Sequence, residues 1–142
     1  MVALEKQILI LSKRIEHLDI LYSLLEPMNY NLFLLKGGLG KKQVKKIFTD
    51  INLVEEGSSR IILATGKYLG EGIDLPFLDT LFLTFPVSWR GTLSQYAGRL
   101  HRDYHGKEEV LIYDYADLNV PVLSRMHVKR LKGYAALGYI VE

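Results

Sequence analysis

Residues 60–102 read RIILATGKYLGEGIDLPFLDTLFLTFPVSWRGTLSQYAGRLHR, and this stretch decides the fold. It opens on an apolar strand, Arg60 to Ala64, and passes through a polar loop with three glycines. A second apolar strand follows, Thr80 to Thr84, and then a helix predicted from Thr92 to Asp103. At about 100° per residue, Leu93, Tyr96, Ala97 and Leu100 share one side of that helix. Gln95, Gly98, Arg99 and Arg102 share the other. The apolar side belongs to the core, which leaves a glutamine, a glycine and two arginines facing outward together.

Outward from this stretch the pattern repeats. QILIL (Gln7 to Leu11) and NLFLL (Asn31 to Leu35) are short apolar runs of strand length, and VLIYDY is the centre of a fifth strand from Glu109 to Tyr115. Ile15, Leu18, Tyr22 and Leu25 have helical spacing, stopped by Pro27, and so do Val44, Ile47, Phe48 and Ile51. Pro121 suits the first position of a last helix, which Gly138 ends. Continuous apolar strands alternating with helices predict an α/β domain, a mainly parallel sheet flanked by helices in three layers. In such sheets ligands sit outside the carboxyl ends of the strands. The polar loops fall there: Ser12-Lys13, Lys36 to Gly38, Thr65-Gly66 and Pro86 to Arg90.

The chain has 142 residues, 49% of them apolar and 24% charged, which fits one domain, 1–142, with one core. It has no apolar run long enough to span a bilayer, and its start is a poor signal peptide. Its lack of cysteine excludes a disulfide framework, a thiolate metal site and a cysteine nucleophile, and fits a cytoplasmic protein. The net charge is only +2, so any nucleic-acid binding must come from local basic clusters.

A polar helix face is ordinarily just solvated. Two details set this one apart. Gly98 costs about 1 kcal/mol relative to alanine inside a helix, and it permits close approach. Arg99 and Arg102 stand a turn apart with no carboxylate between them, which invites an anion such as a polyphosphate. Gln95 either completes a capping box with Thr92, contacts a ligand, or does both.

QYAGRLHR (Gln95 to Arg102) resembles motif VI of superfamily 2 helicases, roughly Gln/His-x-x-Gly-Arg-x-x-Arg. ATGKYLGEGIDLP, from Ala64 to Pro76, resembles their motif V, Thr-x6-Gly-x-Asp. The resemblance extends from the first strand, as motif IV, to VLIYDY. It implies a RecA-like fold of the P-loop NTPase type, the second such domain of a helicase or translocase. It further implies that Arg99 and Arg102 are catalytic fingers reaching the γ-phosphate of ATP held by a partner domain. Gln95, Gly72 and Asp74 would then lie on the ATP side. Thr65 and Gly66, with Ser12 and Lys13, would hold a nucleic-acid backbone, and so would Lys36, Gly37 and Gly38 ahead of a helix N-terminus. Gly72 and Asp74 also read as a plain turn with its cap, and Thr65-Gly66 as an ordinary strand end. Lys45 and Lys46 read as a solvated helix face. Trp89 either stacks on a base or packs in the core. RNA-helicase versions of motif VI carry His-Arg where Gln95-Tyr96 stands, so the resemblance leans toward DNA repair and restriction-type translocases.

KGGLGKKQ is not a P-loop. Leu35 occupies the first glycine position, and Lys42 stands where the magnesium-binding hydroxyl belongs. No acidic box of the DExH kind follows a strand, and Asp114 to Asp117 reads as a strand-end turn. The chain therefore carries the arginine half of an ATPase site. ATP and magnesium are expected mainly on an N-terminal RecA-like domain of the same protein, of which this chain is a fragment, and the isolated domain is expected to be inactive. His101 and His105 lack convincing metal spacing, and no metal is expected. The rival reading is a nucleic-acid-binding or protein-interaction module that keeps the helicase fold without an ATPase role.

Overall fold

A computed structural model describes residues 6–55, 57–65, 68, 75–85, 89, 92–100 and 109–140; of Thr92, Gln95, Gly98 and Arg99 only the backbone is described. Its described strands are β1 (Gln7–Ser12), β2 (Asn31–Leu35), β3 (Arg60–Thr65), β4 (Thr80–Leu83) and β5 (Leu111–Asp114). The helices are α1 (Ile15–Leu25), α2 (Lys41–Asn52), α3 (Thr92–Arg99) and α4 (Pro121–Ala136), with a 3-10 turn at Glu26–Met28 holding Pro27. The expected elements are all present. The fourth and fifth strands are shorter than the sequence suggests. Thr84 still donates its N–H to the Leu11 carbonyl at 3.2 Å, and Tyr115 donates to Leu83 at 3.1 Å.

The sheet order is β2-β3-β1-β4-β5, and every pair is parallel. β3 is buried at every residue, as a strand covered on both faces must be. Leu9 and Leu11 of β1, Ile62 and Ala64 of β3, and Leu81 and Leu83 of β4 alternate onto one face and join one core cluster. Onto this face pack Val44, Ile47, Phe48 and Ile51 of α2, then Leu93, Tyr96 and Leu100 around α3. α4 joins the same side, because Asp114, paired in register with Leu83, meets Arg130 of α4. α1 packs against β1, β2 and β3 from the other side.

That asymmetry follows from handedness. The β1–β2 connection runs toward the β2 edge, and the other connections run the opposite way. Right-handed crossovers of opposite direction fall on opposite faces of a sheet, so α1 covers its face without help from the later helices. At the far edge Tyr113 and Tyr115 stay 45% and 55% exposed. The Tyr113 ring stacks on Phe82 of β4 at 4.6 Å.

The amino end of the sheet carries a buried cation that the sequence gives little reason to notice. Arg60 is 7% exposed. Its Nε donates to the Ile51 carbonyl at 3.0 Å and its Nη2 to Val54 at 3.1 Å. It thereby gives a second donor to the Ile51 carbonyl, which also accepts the Val54 N–H at 3.4 Å, and a donor to the carbonyl of Val54 just past the end of α2. Nη1 donates to Gln7 Oε1 at 2.9 Å, and the guanidinium lies 4.0 Å over the Phe77 ring.

Gly133, buried in the last turn of α4, looks from sequence like a helix defect. Its reason is Trp89: a Cβ built on Gly133 would fall inside the indole ring. Helix propensity alone makes Gly133→Ala stabilising by about 1 kcal/mol. The packing predicts the opposite sign, a loss of about 1–3 kcal/mol, because the half-buried Trp89 ring must shift to admit the added methyl. Urea unfolding decides between the signs, and a neutral or stabilising result would contradict the packing.

Candidate nucleic-acid interface and the arginine helix

The carboxyl ends of β1, β2 and β3 bring together the residues that the sequence assigns to a nucleic-acid backbone. Ser12 and Thr65 are register partners on adjacent strands. Ser12 is 3% exposed, and its hydroxyl is 2.8 Å from His17 Nδ1 and accepts the Arg14 N–H at 3.3 Å. So Ser12 turns the chain from β1 into α1. Thr65 is 7% exposed, and its Oγ1 has no hydrogen-bond partner among the described residues. A Cβ placed on Gly37 would sit 3.9 Å from that oxygen, so the loop after β2 lies directly beside it. Gly38 has φ +90°, a conformation that L side chains rarely adopt.

The lysines here divide. Lys13 is exposed at the head of α1. Lys36 Nζ lies 3.7 Å from Asp19 Oδ1, both half-exposed, a pair worth little by itself. The Lys36 carbonyl accepts the Tyr68 hydroxyl at 3.3 Å, tying this loop to the core. α2 starts at Lys41, and the Gln43 side chain accepts the Gly40 N–H at 3.1 Å. Lys46 pairs with Asp50 one turn on, at 3.1 Å. Both are exposed, as expected of a solvated face.

In α3 the apolar face is as the periodicity predicts: Leu93 and Ala97 are fully buried, and Tyr96 and Leu100 are 3% exposed. Gln95, Gly98 and Arg99 lie on its helical backbone, and their side chains fall outside the described residues. Gly66, Gly72, Asp74 and Arg102 also lie outside them. Trp89 packs against the core side of α4. Its ring meets Tyr134 edge-on at 5.0 Å and joins the core cluster.

Behind α3 stands a polar group that reads in sequence as a strand-end turn and in the structure as a buried anchor. Asp114 accepts Arg130 Nε at 2.8 Å, Arg130 Nη2 at 2.9 Å and the Tyr134 hydroxyl at 2.8 Å. His127 Nδ1 is 3.4 Å away. Arg130 is 1% exposed. Burial works against its charge, and the Asp114 carboxylate more than offsets this, holding the guanidinium above its usual range. Burial, reinforced by Asp114, pushes the Tyr134 phenol well above its usual value, so it stays a donor. A sequence signal existed: His127, Arg130 and Tyr134 recur at three- and four-residue spacing on one face of a helix. Next to this anchor is an open cavity of about 460 Å³ lined by Thr84, Phe85, Tyr115, Asp117, Leu123 and Arg130.

Among the described residues, no group of three His, Asp or Glu could hold a metal ion. No described helix is long and apolar enough to cross a membrane.

A parallel five-stranded sheet with these strand-end loops, followed by the Gln95 to Arg102 segment, defines a RecA-like helicase domain. The helicase conserved C-terminal domain family matches residues 1–104, and the chain belongs to it. Solved structures share the fold. The C-terminal part of the Fun30 ATPase domain superposes with a TM-score of 0.64 at 22% identity, over 96% of this chain and 44% of that one. T4 UvsW gives 0.64 at 17%, over 94% and 29%. The C-terminal domain of the DEAD-box protein Dbp5 gives 0.67 at 18%, over 96% and 72%. The chain thus spans less than half the length of the first two, 44% and 29%. No curated protein sequence matches it significantly.

Proposed function

We propose that this chain is the second motor domain of an ATP-dependent DNA helicase or translocase. Its strand-end loops grip one strand's backbone, and it supplies arginine fingers to ATP held by an N-terminal RecA-like domain. The observation that carries the nucleic-acid half is the Thr65 hydroxyl, buried and unpartnered among the described residues at the carboxyl end of β3. A buried hydroxyl without a partner costs about 1–3 kcal/mol. A phosphate oxygen reaching this edge, beside the Gly37 loop, would relieve that cost. Such contacts hold the backbone without reading sequence. The preference for DNA rests on Gln95-Tyr96 alone, where RNA-type motifs carry His-Arg.

For the ATPase half, Arg99 and Arg102 donate to the γ-phosphate oxygens as charge spreads over them, and Gln95, Gly72 and Asp74 line the same side. Magnesium does not fit the described residues of this chain. Asp114 is committed to Arg130 and Tyr134, and Asp79 to the Gln7 N–H and the Thr80 hydroxyl. The metal belongs to the partner domain. Closure of the two domains on ATP and reopening after hydrolysis then move the gripping loops along the strand.

Thr65→Val tests the grip. Affinity for a labelled single-stranded oligonucleotide, read by anisotropy at fixed salt, should fall roughly tenfold or more, as expected for a lost hydrogen bond to a charged group. Thermal stability should hold or rise, because no described intrachain partner is lost. Unchanged affinity with lowered stability would show that the hydroxyl serves the fold instead.

A further inference from the structure

α3 has eight residues, about two turns, too short to hold its own geometry in water. Any group it presents is therefore only as well placed as the helix is docked. Its buried face fixes which side meets the sheet. Contacts from α4 are set at both of its ends. Trp89, just ahead of α3, lies against Gly133 and Tyr134 of α4. At the other end, the Tyr139 hydroxyl donates to the carbonyl of Ala97 at 2.8 Å, in the last described turn of α3.

The local sequence explains how Tyr139 gets there. α4 ends at Ala136, and Gly138 takes φ +99°. The Gly138 N–H returns to the Ala135 carbonyl at 3.0 Å and the Tyr139 N–H to Tyr134 at 3.0 Å. Those two bonds with a left-handed glycine make a Schellman turn. The turn folds the Tyr139 ring back against Tyr134, with centroids 6.0 Å apart and planes at 69°. The hydroxyl is then aimed at α3, and burial keeps the phenol protonated and able to donate.

We infer that Tyr139 is a positioning residue for the arginine helix: its hydroxyl, aimed by the Gly138 turn and holding the Ala97 carbonyl, sets the placement of Arg99, two residues further along α3. This rests on the finger reading of Arg99. Ala97 lies between Gln95 and Arg99, so a small shift of its carbonyl moves both. Misplacement by about 1 Å in a catalytic arrangement costs up to ~10²-fold in rate.

The test is nucleic-acid-stimulated ATP hydrolysis by the full-length protein carrying Tyr139→Phe, with Arg99→Ala in parallel. Phenylalanine keeps the ring and removes only the donor. The expected result is a roughly tenfold lower kcat, with KM for ATP, oligonucleotide affinity and melting temperature essentially unchanged. Amide exchange across residues 92–100 should quicken. Gly138→Ala should move the same quantities further, because alanine is strained at that φ. An unchanged kcat in Tyr139→Phe beside a collapsed Arg99→Ala overturns the positioning role and leaves the finger intact. A kcat loss matched by loss of melting temperature makes Tyr139 merely structural and overturns it too. If Arg99→Ala is as active as the wild type, or the full-length protein hydrolyses no ATP, the finger reading fails and this inference fails with it.

Discussion

Arg130→Met should remove about 3–5 kcal/mol of stability, the cost of leaving a buried charge without its partner. Asp114 is the charge at issue. It is inside the fold, with Arg130 Nε at 2.8 Å and Nη2 at 2.9 Å as its paired donors. Methionine fills similar volume, so the loss reports electrostatics and hydrogen bonding more than a cavity. The Tyr134 hydroxyl, at 2.8 Å, is too weak a donor to stand in for a guanidinium. Because the ion pair ties β5 to α4, and α4 braces α3, the damage extends to the arginine helix. Pairing the substitution with Asp114→Leu should recover much of the loss, since a buried ion pair exchanged as a whole for apolar residues is often neutral. Denaturant unfolding of the two single variants and the double variant closes the cycle. A single-variant loss under about 1 kcal/mol would show the pair to be as weak as an exposed one.

Where the sequence is legible, burial makes it so. QILIL and RIILA are read as strands because both faces of a central parallel strand are covered, and β3 is indeed buried throughout; NLFLL forms the edge strand β2 and is only partly buried. Pro121 at the start of α4 and Gly138 just past its end mark that helix without any tertiary knowledge. The apolar face of α3 is legible for the same reason. Strand order is different. Nothing in the strands themselves dictates β2-β3-β1-β4-β5, and only the handedness of crossovers links order to the face each helix takes. Long-range polar pairs are also hidden. Asp114 reads as a turn residue until Arg130, sixteen positions away, is seen to meet it. Gly133 reads as a cost until Trp89 is seen against it. Of the candidate site, Ser12 and Thr65 are legible from motif spacing and are brought together by strand register, while Gly37, read as the loop ahead of a helix N-terminus, lies beside the Thr65 hydroxyl. That Thr65 lacks a partner among the described residues could be learned only from the packing.

The largest functional effect is expected at Arg99. A finger supplied in trans to a transferring phosphoryl group is worth about 10³–10⁵ in kcat, because its charge matters most where the γ-phosphate oxygens gain charge. It adds less to ground-state binding, so ATP affinity should be largely kept when the arginine is removed. Arg102→Ala should behave alike, and the double variant should cost little more than either single one if the two act as a unit. A positioning defect differs in size, which is why Tyr139→Phe is expected to lose roughly tenfold and Arg99→Ala far more.

The most direct measurement is therefore ATP hydrolysis by the full-length protein, with and without single- and double-stranded DNA, for wild type against Arg99→Ala and Arg102→Ala. A second motor domain predicts DNA-stimulated hydrolysis in the wild type, and a fall of about 10³ or more in either variant with ATP binding largely kept. Hydrolysis indifferent to nucleic acid, or to the loss of both arginines, would contradict it and leave a helicase-fold binding module in its place.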